Sequence, residues 1–186
     1  MEPLELALKH INMADELLDE LKKYKEKYKA ESCGSGAEEL NFRGLVSRVK
    51  SFPALMMDSG LVPAFTFYLS KVNTTEDVLK ALYLYFSGKG SAPKPKDCKD
   101  KLIEEASKKE SAGYSIAVAM LLSAMTKLKG YEFDDSDFLK SVVEKLRDLA
   151  NKPEERLALE YSLGAYSIEM KKLVEAFSKA KWGSEE

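Results

Sequence analysis

The sequence predicts an all-α fold, a single-domain bundle of seven or eight helices over residues 1–186. Apolar residues recur every three to four positions through most of the chain, which is the period of an amphipathic helix. No window shows the alternation and β-branched enrichment typical of a strand, and no unit repeats at a fixed length. A chain of 186 residues is long enough to bury one proper core.

Apolar stripes define the first three helices. A seven-residue repeat predicts a first helix over residues 4–30, and two glycines then predict a loop near 31–37. A second helix is expected over 38–57, with a kink or a break at Pro53 because proline lacks a backbone N–H. A third helix over 61–71 is apolar on most sides, so we expect it to lie in the core.

The middle of the chain adds three helices and a linker. Two threonines and two acids at 74–77 form an N-cap cluster that opens the fourth helix. Residues 88–96 combine glycine, proline and lysine and predict a mobile linker. A weakly apolar helix is expected over 97–109, and a small-residue apolar helix over 112–128.

The last two helices are opened by polar residues. The run Asp134–Asp137 could suggest a metal site, but it lacks the ligand spacing of a calcium loop. Because it precedes an apolar helix, N-capping of that helix is the favoured interpretation. Pro153 opens a final helix to about residue 180, and a flexible tail is expected over 181–186.

Charge and reactive residues exclude several classes of function. The 29 basic and 31 acidic residues give a net charge of −2, so a generally basic nucleic-acid-coating protein is excluded while a local basic strip is not. His10, Cys33 and Cys98 offer no metal-ligand spacing, disulfide framework or catalytic triad. We therefore predict a protein that is not an enzyme, with no catalytic residues, no metal and no cofactor, and with His10 packed or on the surface.

Composition also bears on where the protein works. The first ten residues lack the apolar segment of a secretory signal, and two cysteines fit a reduced compartment, so we expect a cytoplasmic protein without a membrane anchor. Glutamine is absent and lysine and glutamate are frequent, a pattern that hints at a thermophilic source.

One basic strip stands out on the second helix. Arg43, Arg48 and Lys50 lie in a stretch, residues 41–57, that contains no acidic residue. Arg43 and Lys50 are two turns apart and share a face. A helix with one apolar face and one uncompensated basic face could follow a phosphate backbone.

The segment Leu45–Val72, LVSRVKSFPALMMDSGLVPAFTFYLSKV, carries a specific pattern. A basic residue, Lys50, comes shortly before Pro53, a polar-glycine turn follows, and the next apolar helix ends at Lys71. This pattern resembles the small α-helical subunit of Cmr-type (type III-B) CRISPR RNA-silencing effector complexes. The order of elements from Ala112 to Leu139 is similar but looser. In that family the last helix carries a tryptophan followed by basic residues.

The counterpart of that tryptophan in this chain is at best Tyr166, followed by Lys171 and Lys172, because Trp182 lies in the tail. The resemblance implies a non-catalytic subunit that stacks head-to-tail as an inner filament beside the subunits that carry the guide RNA. The implied partners are other effector subunits, guide RNA, target RNA and further copies of this chain. The expected RNA contacts are listed here: Arg43, Arg48, Lys50, Lys71, Lys171 and Lys172.

Two other classes of function remain open from the residues alone. A helical adaptor would bind protein partners without nucleic acid, through an exposed apolar groove. An enzyme that uses helix carboxylates would need a bound metal ion. In isolation we expect a monomer or weak self-association, because head-to-tail contacts that do not close depend on the rest of a filament.

Overall fold

The computed structural model describes residues 1–28, 40–97, 100–106, 111–180 and 182. Within these residues it contains eight helices and no strand, which confirms the all-α prediction. The helices are α1 Pro3–Tyr28, α2 Arg43–Ser59, α3 Leu61–Ser70, α4 Glu76–Phe86, α5 Lys101–Glu105, α6 Tyr114–Lys129, α7 Phe138–Asn151 and α8 Pro153–Ala180. The loop expected near 31–37 lies outside the described residues, as do Cys33 and Cys98.

Helix α6 is the centre of the bundle. Every residue from Tyr114 to Met125 is buried, because small and apolar side chains cover all sides of the helix. Helices α1, α2, α3, α4, α5 and α8 all contact it. The long outer helices α1 and α8 pack against each other and close the core.

Three predicted helices differ in detail from the structure. Helix α2 is continuous through Pro53, so the break expected there is absent; burial of Phe52 and Pro53 keeps this stretch packed on the core despite one missing N–H. Helix α3 is not fully in the core, because Phe67 is 44% exposed. Helix α5 spans only Lys101–Glu105 within the described residues.

The N-terminal ends of α2 and α6 meet backbone to backbone. A Cβ atom on Gly113 would lie 2.3 Å from the Leu45 nitrogen, and one on Gly44 would lie 2.8 Å from the Ala112 Cβ. Gly113 also has φ of +85°, a conformation that favours glycine. This contact therefore requires glycine on both sides.

Carboxylates from other helices cap three helix N-termini. The buried Glu105 accepts a hydrogen bond from the Ser115 nitrogen of α6 at 2.9 Å, and burial raises its pKa to about 7. Glu160 accepts from the Leu61 nitrogen of α3, also at 2.9 Å. Free N–H groups at a helix N-terminus favour such a carboxylate.

The third such cap corrects the capping predicted for α7. Glu76 of α4 accepts a hydrogen bond from the Leu139 nitrogen at 2.9 Å. The Asp137 side chain makes no cap bond, and Asp134 accepts from the Ser136 nitrogen in a local turn. By contrast, the predicted cap of α4 is confirmed, because the Thr75 side chain accepts from the Val78 nitrogen.

His10 lies in the core, where its two ring nitrogens link α1 to α8 and α6. Nδ1 is 2.6 Å from the Tyr166 hydroxyl, and Nε2 is 3.1 Å from the Ser123 hydroxyl. The ring is fully buried, and this burial lowers the His10 pKa to about 3. His10 is therefore a packed neutral residue.

Trp182 is the described residue of the tail expected over 181–186, and it is buried. Its ring packs on Phe42 and Phe177, with centroids 5.5 and 5.9 Å away, and its Nε1 donates to Asp15 at 3.0 Å. The chain after α8 is thus attached to α1 at this point.

The contact between α2 and α6 predicts a strong effect of one methyl group. Gly113→Ala combines positive φ with a backbone clash, so we expect a loss of about 3 kcal/mol or more in the free energy of unfolding. Gly130→Ala is the matched control, because Gly130 has φ of +71° but open space around its Cβ position. That control should lose about 1 kcal/mol in urea unfolding. Equal losses in the two variants would contradict the steric account.

Burial of neutral His10 predicts a pH-dependent stability. Below pH 6.5 the unfolded chain takes up a proton at His10, whereas the folded chain does so only near pH 3. The contribution of His10 to stability should therefore fall with decreasing pH in this window, by about 3 kcal/mol between pH 8 and 4. Glu105, whose pKa is raised from 4.5 to about 7, contributes in the opposite direction between these two values, so the effect of His10 is measured as a difference between variants. Relative to the wild type, His10→Gln should lower the slope of unfolding free energy against pH by about 1 kcal/mol per pH unit between pH 6 and 5. An unchanged slope in this variant would show that His10 titrates freely.

Candidate nucleic-acid interface

Helix α2 carries three of the predicted RNA contacts on its solvent side. Its apolar positions face the core, whereas Arg43 and Lys50 are exposed on one flank of the helix. Arg48 is two residues before Lys50, which places it about 200° around the helix on the other flank. The structure therefore divides the predicted site between two surfaces on either side of α2.

Helix α8 runs antiparallel to α2 on the first of these flanks. Lys50 forms an ion pair with Glu175 at 3.7 Å, and Leu61 bonds to Glu160 near the other end of the contact. Lys171 and Lys172 lie about one turn before Glu175 and are exposed. We call Arg43, Lys50, Lys171 and Lys172 the basic ridge.

Carboxylates partly offset the charge of the basic ridge. Glu175 pairs with Lys50, and Glu169 pairs with Lys172 at 2.8 Å. The stretch 41–57 contains no acidic residue and so does not predict the pair with Glu175, which lies far away along the chain. Both pairs are solvent-exposed, so they are weak and salt-sensitive, and a phosphate group could replace either carboxylate.

The second flank joins Arg48 to Lys71 through two aromatic rings. The Arg48 guanidinium lies 4.4 Å from the Tyr114 ring centre, and its Nη1 donates to the Tyr114 hydroxyl at 2.9 Å. The Tyr114 and Phe67 ring centres are 6.4 Å apart, and the Lys71 ammonium lies 5.5 Å from the Phe67 ring centre. We call Arg48, Tyr114, Phe67 and Lys71 the aromatic row.

Sequence reasoning missed the two rings of the aromatic row. Phe67 and Lys71 are four residues apart, a helical spacing that could have paired them. Nothing in the sequence indicates Tyr114, which begins α6 and reaches Arg48 only through the close contact between α2 and α6.

Across the described ranges, no group of three or more His, Cys, Asp and Glu residues could hold a metal ion. Among the described helices, none is long and apolar enough to cross a membrane.

Comparison with known protein families identifies the chain. The family model of the CRISPR-associated protein Cas_Cmr5 matches residues 4–131, which is more than half of the chain. The chain belongs to the Cmr5 family. It is therefore a Cmr-type CRISPR-associated small subunit, as the segment Leu45–Val72 predicts, and membership implies other effector subunits as partners.

The family match covers the aromatic row and half of the basic ridge. It runs from the first turn of α1 to the end of α6, so it includes Arg43, Lys50 and the whole aromatic row. Lys171 and Lys172 lie on α8, outside the matched residues. No curated protein and no solved structure gave a significant match to the chain.

The different surroundings of two arginines on α2 predict different effects on stability. Arg48→Ala removes a hydrogen bond and a ring contact to Tyr114, so we expect a loss of about 1–2 kcal/mol in the free energy of unfolding. Arg43→Ala removes an exposed side chain and should stay within about 0.5 kcal/mol of the wild type. Urea unfolding measures both. If Arg48→Ala were equally neutral, its contact with Tyr114 would contribute nothing to the fold.

Proposed function

We propose that this Cmr5-family protein is a non-catalytic structural subunit of a cytoplasmic type III-B effector complex. In this proposal it stacks as an inner filament and contacts the backbone of guide and target RNA through the basic ridge. Two observations support the proposal: the family membership, and the exposed cations of the basic ridge on the adjacent helices α2 and α8.

The chemistry of the basic ridge supports a backbone contact. Lysine and arginine neutralise phosphates without reading bases, and in an RNA-guided complex the sequence is read by base pairing. An exposed ridge along α2 and α8 can follow several phosphates of one strand. Lys50 would pair with Glu175 in the absence of RNA and with a phosphate when RNA is bound.

Exposed apolar side chains on α8 support contacts with other copies or subunits. Leu157, Tyr161 and Ile168 are 59%, 84% and 45% exposed, and their spacing of four and seven residues puts them on one face. Met57, near the end of α2, is 81% exposed. Such side chains on a soluble protein favour a protein interface.

The buried polar groups support a non-catalytic role. His10 and Glu105 have strongly shifted pKa values, which is typical of catalytic groups, but both are fully buried. His10 bonds to core hydroxyls, and Glu105 caps α6. Their shifts are explained by their structural positions.

The apolar face of α8 also fits the second candidate, a helical adaptor that binds proteins alone. Such an adaptor would retain no RNA at low salt, and its partners would remain bound after nuclease treatment. Loss of the co-purified subunits on nuclease treatment would instead support an RNA-dependent assembly.

The basic ridge predicts a salt-dependent RNA affinity. In the reconstituted effector complex, Arg43→Ala combined with Lys50→Ala should weaken target-RNA binding and reduce the slope of log K against log salt by about 1.5. The matched control is Lys140→Ala combined with Lys152→Ala, which removes the same charge from exposed positions 65% and 54% accessible. Unchanged affinity and slope in the ridge variant, or equal changes in the control, would overturn the assignment.

A further inference from the structure

Phe67 is a large apolar side chain held in place at the surface. The ring is 44% exposed although it lies on a helix that packs against the core. It meets Tyr68 and Tyr114 edge to face, with centroids 6.1 and 6.4 Å away and interplanar angles of 63° and 77°. Both tyrosines are buried, so two fixed rings hold Phe67 in one orientation.

The two tyrosines behind Phe67 are themselves fixed by polar contacts. The Tyr68 hydroxyl donates to the Arg48 carbonyl oxygen at 2.6 Å, and the Arg48 guanidinium donates to the Tyr114 hydroxyl. Arg48 therefore holds both rings that support Phe67. It acts on the exposed ring as a positioning residue.

The charge around Phe67 favours an anionic ligand. The sequence from Leu40 to Thr75 forms α2, α3 and their flanking turns and contains one acidic residue, Asp58. Of the cations in this stretch, Arg48 and Lys71 lie in the aromatic row with Phe67, whereas Arg43 and Lys50 lie on the other flank of α2. Lys71 is exposed and follows Phe67 by one helical turn, with its ammonium 5.5 Å from the ring centre.

We propose that Phe67 is a stacking platform for an unpaired RNA base, with Lys71 binding the adjoining phosphate. The inference rests on the proposed function, since it adds a base contact on the second flank of α2 to the backbone contacts of the basic ridge. An exposed aromatic ring beside cations is the usual arrangement for binding single-stranded RNA. An apolar protein partner would gain nothing from the lysine beside this ring.

The position of Lys71 is compatible with base stacking. A cation over an exposed ring is a weak contact, and stacking of a base on the same ring is stronger. A base can therefore displace the ammonium from the ring. The flexible lysine side chain then reaches a phosphate of the same strand.

Fluorescence of a Phe67→Trp variant tests the stacking directly. Single-stranded RNA should quench the emission of the new, exposed tryptophan in the full chain at low salt, because a stacked base contacts the indole. Trp182 is 2% exposed and provides a constant background. Inorganic polyphosphate has the charge of RNA without bases and should not quench.

Affinity measurements separate stacking from charge. Phe67→Ala and Phe67→Leu should each weaken binding of labelled single-stranded RNA about fivefold or more with an unchanged salt slope, while Phe67→Trp retains it. Lys71→Ala should instead reduce the slope. Val143→Ala on α7, which is 43% exposed, is the matched control and should bind as the wild type does.

The outcomes distinguish this inference from the proposed function. If the wild-type chain alone binds no single-stranded RNA, the stacking platform is overturned, whereas the proposed function is decided by the ridge variant in the reconstituted complex. If RNA binds and the ridge variant weakens it, but Phe67→Ala and Phe67→Leu bind normally, the proposed function stands and the stacking platform is overturned. Equal quenching by RNA and polyphosphate would also overturn the platform, because no base would then be needed.

Discussion

The contact between the N-terminal ends of α2 and α6 fixes the geometry of the aromatic row. Gly44 and Gly113 let the two backbones meet without a Cβ atom between them. Tyr114 follows Gly113 directly, so this contact places its ring under the Arg48 guanidinium. If the two helix ends lay farther apart, Tyr114 would lose its contact with Arg48, and Phe67 would lose its contact with Tyr114. The geometry of a charged surface therefore depends on two residues that have no side chain.

The helices could be predicted from the sequence because periodicity is local, but their caps could not. Thr75 caps its own helix, and the 74–77 cluster indicates it correctly. Leu139 bonds instead to Glu76, and Leu61 bonds to Glu160, because tertiary packing brings these carboxylates to N–H groups that are distant in sequence. The acidic run before α7 occupies the right position but does not supply the bond. A sequence pattern therefore locates the start of a helix without identifying the acceptor that bonds to its free N–H groups.

For the candidate site, too, the sequence predicts which residues share a helix face but not which residues of other helices contact them. Helical period alone places Arg43 and Lys50 on one face, and both are exposed there. Arg48 is expected from the sequence to serve the same purpose, but its guanidinium is held against Tyr114. Lys50 has no acidic neighbour within residues 41–57, but it pairs with Glu175, because α8 folds back beside α2. Counting charges within one segment therefore overstates the free charge whenever another helix covers the flank.

Under the proposed RNA contacts, the two flanks of α2 would detect different properties of RNA. In that proposal the basic ridge responds to phosphate charge, so its contribution falls with salt and does not require an unpaired strand. A ring such as Phe67 responds to an exposed base face, so its contribution is nearly independent of salt and requires an unpaired nucleotide. Neither contact reads sequence. The two proposed contacts would therefore respond to strand charge and to an unpaired base, while base pairing with the guide determines which strand is bound.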